Sequence, residues 1–121
     1  MKPFIFALLL VTAGSNLHAQ TFGEGMTTPS AEDLNKLLAG NVYTVERSDG
    51  NHWRLEFKSN GYYFFNNVQG YSDSGEWKTE EGKLCALPRK TPAACSEARL
   101  SNGVLTLRRA NGEIIIYKRK E

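Results

Sequence analysis

Side chains that could carry out acid–base or nucleophilic chemistry are sparse in this sequence. His52 is one of two histidines, and the alternating pattern around it points it outward beside a turn, with no nucleophile motif nearby. Glu80 and Glu81 fall in a turn, where they are typical of a solvated pair rather than of an acid–base dyad. No Gly-rich phosphate loop and no metal-ligand spacing is present. The sequence therefore predicts that the protein is not an enzyme, with no catalytic residues, no cofactor and no metal site.

Aromatic side chains are the better candidates for a binding site. The candidates, all in the central part of the chain, are Trp53, Tyr62, Tyr63, Phe64, Phe65, Tyr71 and Trp77. In a barrel of about eight strands the interior is either filled by side chains or holds one small ligand. We therefore name Trp53, Tyr63, Phe65 and Trp77 as possible ligand-lining residues; the alternative is that they only form the core.

The chain contains two cysteines, Cys85 and Cys95. In an oxidising compartment such a pair is predicted to form one disulfide that closes a short loop. Pro88 and Pro92 indicate that 86–94 is an irregular loop rather than a continued strand. A metal site would need further Cys or His ligands, and a redox-active pair normally has two intervening residues.

Basic residues suggest two possible contact surfaces. Arg89 and Lys90 lie at the predicted tip of the disulfide loop and are possible partner contacts. A second group brackets the last predicted strand: Arg108, Arg109, Lys118, Arg119 and Lys120. That group could meet an anionic surface, or it could suppress edge-to-edge aggregation of the apolar strand between its members.

The first nineteen residues have the order of a secretory signal peptide. A positive start at Lys2 precedes the apolar run 4–13, and a small-polar tail ends at Ala19. An apolar run of about 10 residues is too short to span a bilayer. We expect cleavage after Ala19 and a periplasmic or secreted protein of 102 residues, with the net charge falling from +2 to +1. Neither nucleic acid nor a membrane span is expected.

The remaining chain predicts a lead-in, one helix and a series of short strands. Residues 20–29 are predicted to be a flexible lead-in, and a helix is predicted from the N-cap Ser30 to Gly40. Turn signals then recur at Asp49-Gly50, Asn60-Gly61, Gly70, Glu81-Gly82, Asn102-Gly103 and Asn111-Gly112. Strands are expected at 41–47, 52–58, 62–67, 73–79, 83–87, 96–100, 104–109 and 113–119. The fold class is mainly β: an antiparallel meander forming a small barrel or half-barrel over 30–121, with one short N-terminal helix.

Two predicted strands are apolar on both faces. The segments 62–65 and 114–117 read Tyr-Tyr-Phe-Phe and Ile-Ile-Ile-Tyr, without the alternation seen over 52–58. Both faces are expected to be at least partly covered. The barrel interior and the leucine face of the helix are two candidate covers, and a dimer contact is the third.

The order Gly75-x-Trp77, Gly82-Lys83-Leu84-Cys85 and Cys95 resembles small exported bacterial proteins of unknown function with a lipocalin-like (calycin-type) barrel. The likeness covers about Gly40 to Leu100. It implies a half or whole barrel, but Val42 stands where the true lipocalins place Trp, so no functional site carries over.

These observations favour a non-enzymatic exported binding protein, for an apolar or amphipathic small molecule. The alternative is a protein-interaction module, such as a hydrolase inhibitor or an envelope accessory protein, with an envelope protein as partner. A small hydrolase is the weakest hypothesis. We expect a monomer or a weak dimer.

Overall fold

The computed structural model describes residues 21–121, and these form a closed eight-stranded antiparallel barrel with one helix. The predicted signal peptide, 1–19, lies outside the described residues. The helix is α1 (Ala31–Leu38), and the strands are β1 (Asn41–Glu46), β2 (His52–Phe57), β3 (Tyr62–Asn67), β4 (Ser72–Glu80), β5 (Lys83–Pro88), β6 (Ala94–Ser101), β7 (Val104–Arg108) and β8 (Ile114–Arg119). Each strand pairs with the next one along the chain, and β8 pairs back with β1. The predicted fold class is confirmed, and the barrel is closed rather than half-closed.

The helix begins and ends where the sequence predicts, and it covers one end of the barrel. Ser30 Oγ accepts a hydrogen bond from the Asp33 N–H at 3.1 Å, which caps the first turn. Leu34 and Leu38 are fully buried in the same apolar cluster as the barrel interior. Thr79, at the end of β4, donates its hydroxyl to the carbonyl of Ala31 at 2.7 Å. The apolar face of α1 therefore closes the end of the barrel at which β1 begins and β4 finishes.

The end of the predicted lead-in also contacts the barrel. Thr27 forms an antiparallel bridge with Leu100, with both N–H···O distances at 2.8 Å. The Gly82 N–H donates to the carbonyl of Pro29 at 2.9 Å. These bonds hold residues 27–29 against β6 and the turn between β4 and β5. The helix therefore begins at a fixed position at this end of the barrel.

The disulfide is present, but the loop that it was expected to close is shorter than predicted. Cys85 and Cys95 face each other across β5 and β6, with their sulfur atoms 2.04 Å apart. Strand β5 continues to Pro88 and β6 starts at Ala94, so the prediction of an irregular segment over 86–94 was wrong at both ends. Pro88 is the last residue of β5 and has no N–H to donate to the ladder. The irregular part is only 89–93.

The two strands that are apolar on both faces are covered on the inner face only. Tyr63 points into the barrel and is buried, whereas Tyr62 and Phe64 on the outer face of β3 are each 46% exposed. Ile116 on the outer face of β8 is similarly exposed. The leucines of α1 do not lie over these outer faces because they pack into the barrel end instead.

Candidate functional site

The end of the barrel opposite the helix, which we call the mouth, contains a cavity of about 270 Å³. Four of the aromatic side chains line it: Trp53, Tyr63, Phe65 and Tyr71. The facing wall is made by the small apolar surfaces of Ala86 and Pro88, and the two charged groups of the lining are Asp73 and Arg109. A concave, mostly apolar cavity with few polar groups is the usual form of a small-molecule site.

Three of the lining rings form a continuous row along one wall of the mouth. The ring centroids of Trp53 and Phe65 are 5.5 Å apart with an interplanar angle of 71°. Phe65 and Tyr71 are 6.1 Å apart at 63°. These edge-to-face contacts are the arrangement that aromatic quadrupoles favour, so each ring restricts the orientation of its neighbour. The wall is therefore preorganised.

Two guanidinium groups lie near the Trp53 ring, and a single carboxylate accepts hydrogen bonds from both of them. The guanidinium carbons of Arg47 and Arg109 are 5.2 Å and 4.9 Å from the Trp53 ring centroid. Glu113 accepts hydrogen bonds from Arg47 Nε at 3.0 Å and from an Arg109 terminal nitrogen at 2.6 Å. We call Arg47, Arg109 and Glu113 the arginine clamp.

The arginine clamp also joins the first and last hairpins of the barrel. Arg47 follows β1, and Arg109 and Glu113 flank the turn between β7 and β8. The β1–β8 pairing is short, with Tyr43 opposite Arg119 and Thr44 opposite Lys118. The arginine clamp therefore stabilises the β1–β8 closure at the mouth.

Partial burial of Glu113 opposes its ionisation, but hydrogen bonds and charge from Arg47 and Arg109 outweigh it and lower the pKa of the carboxyl. A carboxyl with a lowered pKa stabilises the fold fully above its unfolded-state pKa. That contribution is lost as the pH falls through the native pKa.

We expect Glu113→Gln to lower the free energy of unfolding by about 1 kcal/mol at neutral pH, because three charge-assisted hydrogen bonds, two from Arg47 and one from Arg109, are weakened at a partly exposed site. The difference from the wild type should shrink as the pH falls below about 4.5. Urea unfolding of both proteins at a series of pH values measures this difference in the free energy of unfolding. Glu76→Gln is the matched control, because Glu76 is exposed on β4 and makes no ion pair among the described residues. A difference that persists unchanged in acid would contradict the role given to the Glu113 charge.

Asp73 attaches the β5–β6 loop to the rim of the mouth. Its carboxylate accepts the Ser74 N–H at 2.7 Å and the Lys90 N–H at 3.2 Å. The Lys90 ammonium donates to the carbonyl of Ser72 at 2.7 Å and lies 5.3 Å from the Tyr71 ring centroid. Lys90 thus has partners within the protein, whereas Arg89 is exposed and has no hydrogen bond or ion pair from its side chain among residues 21–121.

Tyr63 contributes a phenol hydroxyl to the lining of the mouth cavity. The residue is 5% exposed, and its hydroxyl oxygen, which is not fully enclosed by protein atoms, forms no hydrogen bond with any of residues 21–121. Burial, together with the negative charge of Asp73, raises the pKa of Tyr63 to about 12. The phenol is therefore neutral, and it can both donate and accept a hydrogen bond.

The structure brings together three of the four residues predicted to line a ligand site. Trp53, Tyr63 and Phe65 lie around the mouth cavity. Trp77 lies deeper, 5.3 Å from the Phe57 ring centroid, and its indole N–H donates to the carbonyl of Lys58 at 3.0 Å. It packs in the core and does not line the mouth.

Sequence reasoning missed the charged residues of the mouth. Asp73 precedes Gly75 and Trp77 at alternate positions of β4, so assigning the inward face of that strand would have placed it inside the barrel. Arg109 was noted only as part of a basic cluster, and the Arg47–Glu113 contact that completes the arginine clamp depends on barrel closure.

The predicted partner contacts, Arg89 and Lys90, line a groove next to the mouth. This groove has a volume of about 340 Å³ and includes the exposed ring of Phe64. It shares two lining residues, Phe65 and Asp73, with the mouth cavity.

No group of three His, Cys, Asp or Glu side chains in 21–121 is placed to hold a metal ion. In the same range, no helix has the length and apolar character needed to cross a membrane.

The fold and the mouth define a small, closed, antiparallel β-barrel with an aromatic cavity at one end and a helix at the other. No protein-family model matches the chain, and comparisons with curated proteins and with solved structures also give no match.

Proposed function

We propose that this protein is a non-enzymatic binding protein that holds a small apolar or amphipathic molecule in the mouth of the barrel. The observation that carries the proposal is the cavity of about 270 Å³, with a preorganised aromatic wall and an unpartnered Tyr63 hydroxyl. The Tyr63 hydroxyl has no partner within residues 21–121, so it is available to hydrogen-bond a ligand in the cavity.

The proposal includes export to the periplasm or the exterior. The signal-peptide pattern of residues 1–19 supports it, and a disulfide between Cys85 and Cys95 persists in oxidising compartments. The resemblance to exported calycin-type barrels supports the same location. A monomer or a weak dimer fits this role.

A cavity-filling variant tests the proposal directly. A panel of small apolar and amphipathic probes should change the fluorescence of Trp53 on binding, because that indole lines the cavity. Ala86→Phe should abolish these responses by filling the space between Ala86 and the aromatic wall. Leu87→Phe is the control: Leu87 is the next residue but is 48% exposed on the outer surface, so probe binding should be retained. A panel with no response, or responses equal in both variants, would overturn the proposal.

A protein-interaction role is the second candidate, favoured by the uncommitted Arg89 side chain beside the exposed ring of Phe64. An arginine next to an exposed aromatic ring is typical of protein interfaces. A pull-down from envelope extract separates the two functions. A partner that contacts the 89–93 loop would be retained equally by the wild type and by Ala86→Phe.

A further inference from the structure

Two charged residues of the described chain line the mouth cavity, Asp73 and Arg109. The guanidinium of Arg109 forms an ion pair with Glu113 at 2.6 Å, a carboxylate that it shares with Arg47. The carboxylate of Asp73 accepts two backbone N–H groups, but no cationic side chain among residues 21–121 lies within 4.0 Å of it. Backbone dipoles offset that charge only in part, so Asp73 favours a positively charged group in the cavity.

The aromatic rings around the mouth already attract cations in this structure. Trp53 has two guanidinium groups near its ring, and Tyr71 has the ammonium of Lys90 at 5.3 Å. Positive charge is attracted to the ring faces by the aromatic quadrupole, most strongly where water is excluded. Phe65, between these two rings, has no such cation among the described residues and lines the cavity.

Tyr63 supplies a hydrogen-bond acceptor at the same place. Its oxygen has no donor among residues 21–121. Tyr63 is opposite Gly75 in the β3–β4 register, and Asp73 lies two residues before Gly75 on the same inward face. Tyr63 and Asp73 therefore line the cavity from neighbouring strands. A carboxylate and a neutral phenol oxygen together suit the N–H donors of an ammonium group.

We propose that the ligand of the mouth is a small organic amine in its cationic form, with its ammonium group between Asp73 and Tyr63 and an aromatic or alkyl part against Trp53, Phe65 and Tyr71. This inference rests on the proposed function, because it names the chemical class of molecule held in the same cavity. A cavity of about 150 Å³ is enough for benzene. The 270 Å³ of the mouth therefore accommodates one ring with a short amine-bearing chain.

Three probes of similar size and different charge test the inference by calorimetric titration at neutral pH. They are 2-phenylethylamine, which is a cation, 2-phenylethanol, which is neutral, and 3-phenylpropionate, which is an anion. We expect the amine to bind about 10-fold or more tightly than the alcohol, and the anion to bind weakest, since charge-assisted hydrogen bonds and cation–π contacts favour only the amine. This comparison needs only the unaltered protein.

Three substitutions test which residues cause the preference for the amine over the alcohol. Asp73→Asn should reduce the advantage of the amine over the alcohol to about 2-fold or less, while the affinity for the alcohol is retained. Tyr63→Phe, which removes only the hydroxyl, should weaken binding of the amine. Glu76→Gln removes an acidic group from the outer face of the same strand and should leave the preference unchanged.

The outcomes distinguish this inference from the function on which it rests. If the alcohol or the anion binds as tightly as the amine, the amine assignment is overturned while the mouth remains a ligand site. If none of the three probes binds and the wider panel also gives no response, the proposed function itself fails. An amine preference that survives in Asp73→Asn would likewise overturn the placement of the ammonium group.

Discussion

Phe57→Ala is expected to lower the free energy of unfolding by about 3–5 kcal/mol, the range for removing a large ring from a packed interior. Phe57 is 2% exposed and is the hub of the interior aromatic cluster. Its ring centroid lies 5.3 Å from that of Trp77, 6.2 Å from those of Tyr43 and Tyr117, and 6.3 Å from that of Tyr63. Because the barrel is closed around these rings, the neighbouring side chains have little freedom to move into the cavity that the missing Phe57 ring would leave.

Thermal and urea unfolding measure this effect. A domain of this size loses about 4–8 °C in Tm for each kcal/mol, so a fall of at least about 12 °C is expected. Phe64→Ala is the control, since Phe64 is on the adjacent strand but 46% exposed, and it should cost much less. Equal losses in the two variants would contradict a core centred on Phe57.

Phe57 also bears on the ligand site, because Tyr63 is stacked against it at an interplanar angle of 29°. Loss of the Phe57 ring would free Tyr63 to change rotamer. Among molecules that remain folded, we therefore expect weaker probe binding at the mouth even though Phe57 does not line the cavity.

Gly75→Ala is expected to lower the free energy of unfolding by about 3 kcal/mol, at the upper end for an overpacked interior position. A Cβ atom at residue 75 would lie 2.1 Å from the carbonyl oxygen of Leu87 and 2.9 Å from Cα of Pro88. Both contacts are with backbone atoms, so no side-chain rotation relieves them. Strands β4 and β5 would have to separate where Gly75 pairs with Pro88.

The matched control for this substitution is Gly23→Ala. A Cβ at Gly23 meets no atom within 4 Å, and its φ is not in the left-handed region. We expect a change within about 0.5 kcal/mol. If Gly75→Ala unfolded at the same urea concentration as Gly23→Ala, the close approach of β4 and β5 at residue 75 would be contradicted.

Much of the fold follows from local sequence signals. The eight strands lie within about two residues of the predicted positions, because short-range turn residues such as Asn60-Gly61 and Asn111-Gly112 fix where each hairpin reverses. Local signals also fix the ends of the helix: Ser30 caps its start, and Gly40, with φ +80°, follows its end. The one clear error, the extent of the disulfide loop, arose because proline was taken to end β5 before Pro88.

The candidate site was predictable only in part. Alternation along β2 placed Trp53 on the inward face, and this is where it lies. Tyr63, Phe65 and Trp77 were named only because they are aromatic, and that criterion gives neither the face of a residue nor its depth along the barrel axis. Trp77 is at the level of Phe57, below the mouth.

The sequence by itself determined the mainly β fold class, the strand order, the helix and the pairing of Cys85 with Cys95, because each depends on local pattern or on there being two cysteines. Only the tertiary structure decided that β8 closes onto β1 and that α1 covers the barrel end. It alone also brought Arg47 to Glu113, 66 residues apart in sequence, and placed Asp73 beside the aromatic wall. These contacts join distant segments, and their energy depends on burial and charge that exist only after the barrel has closed.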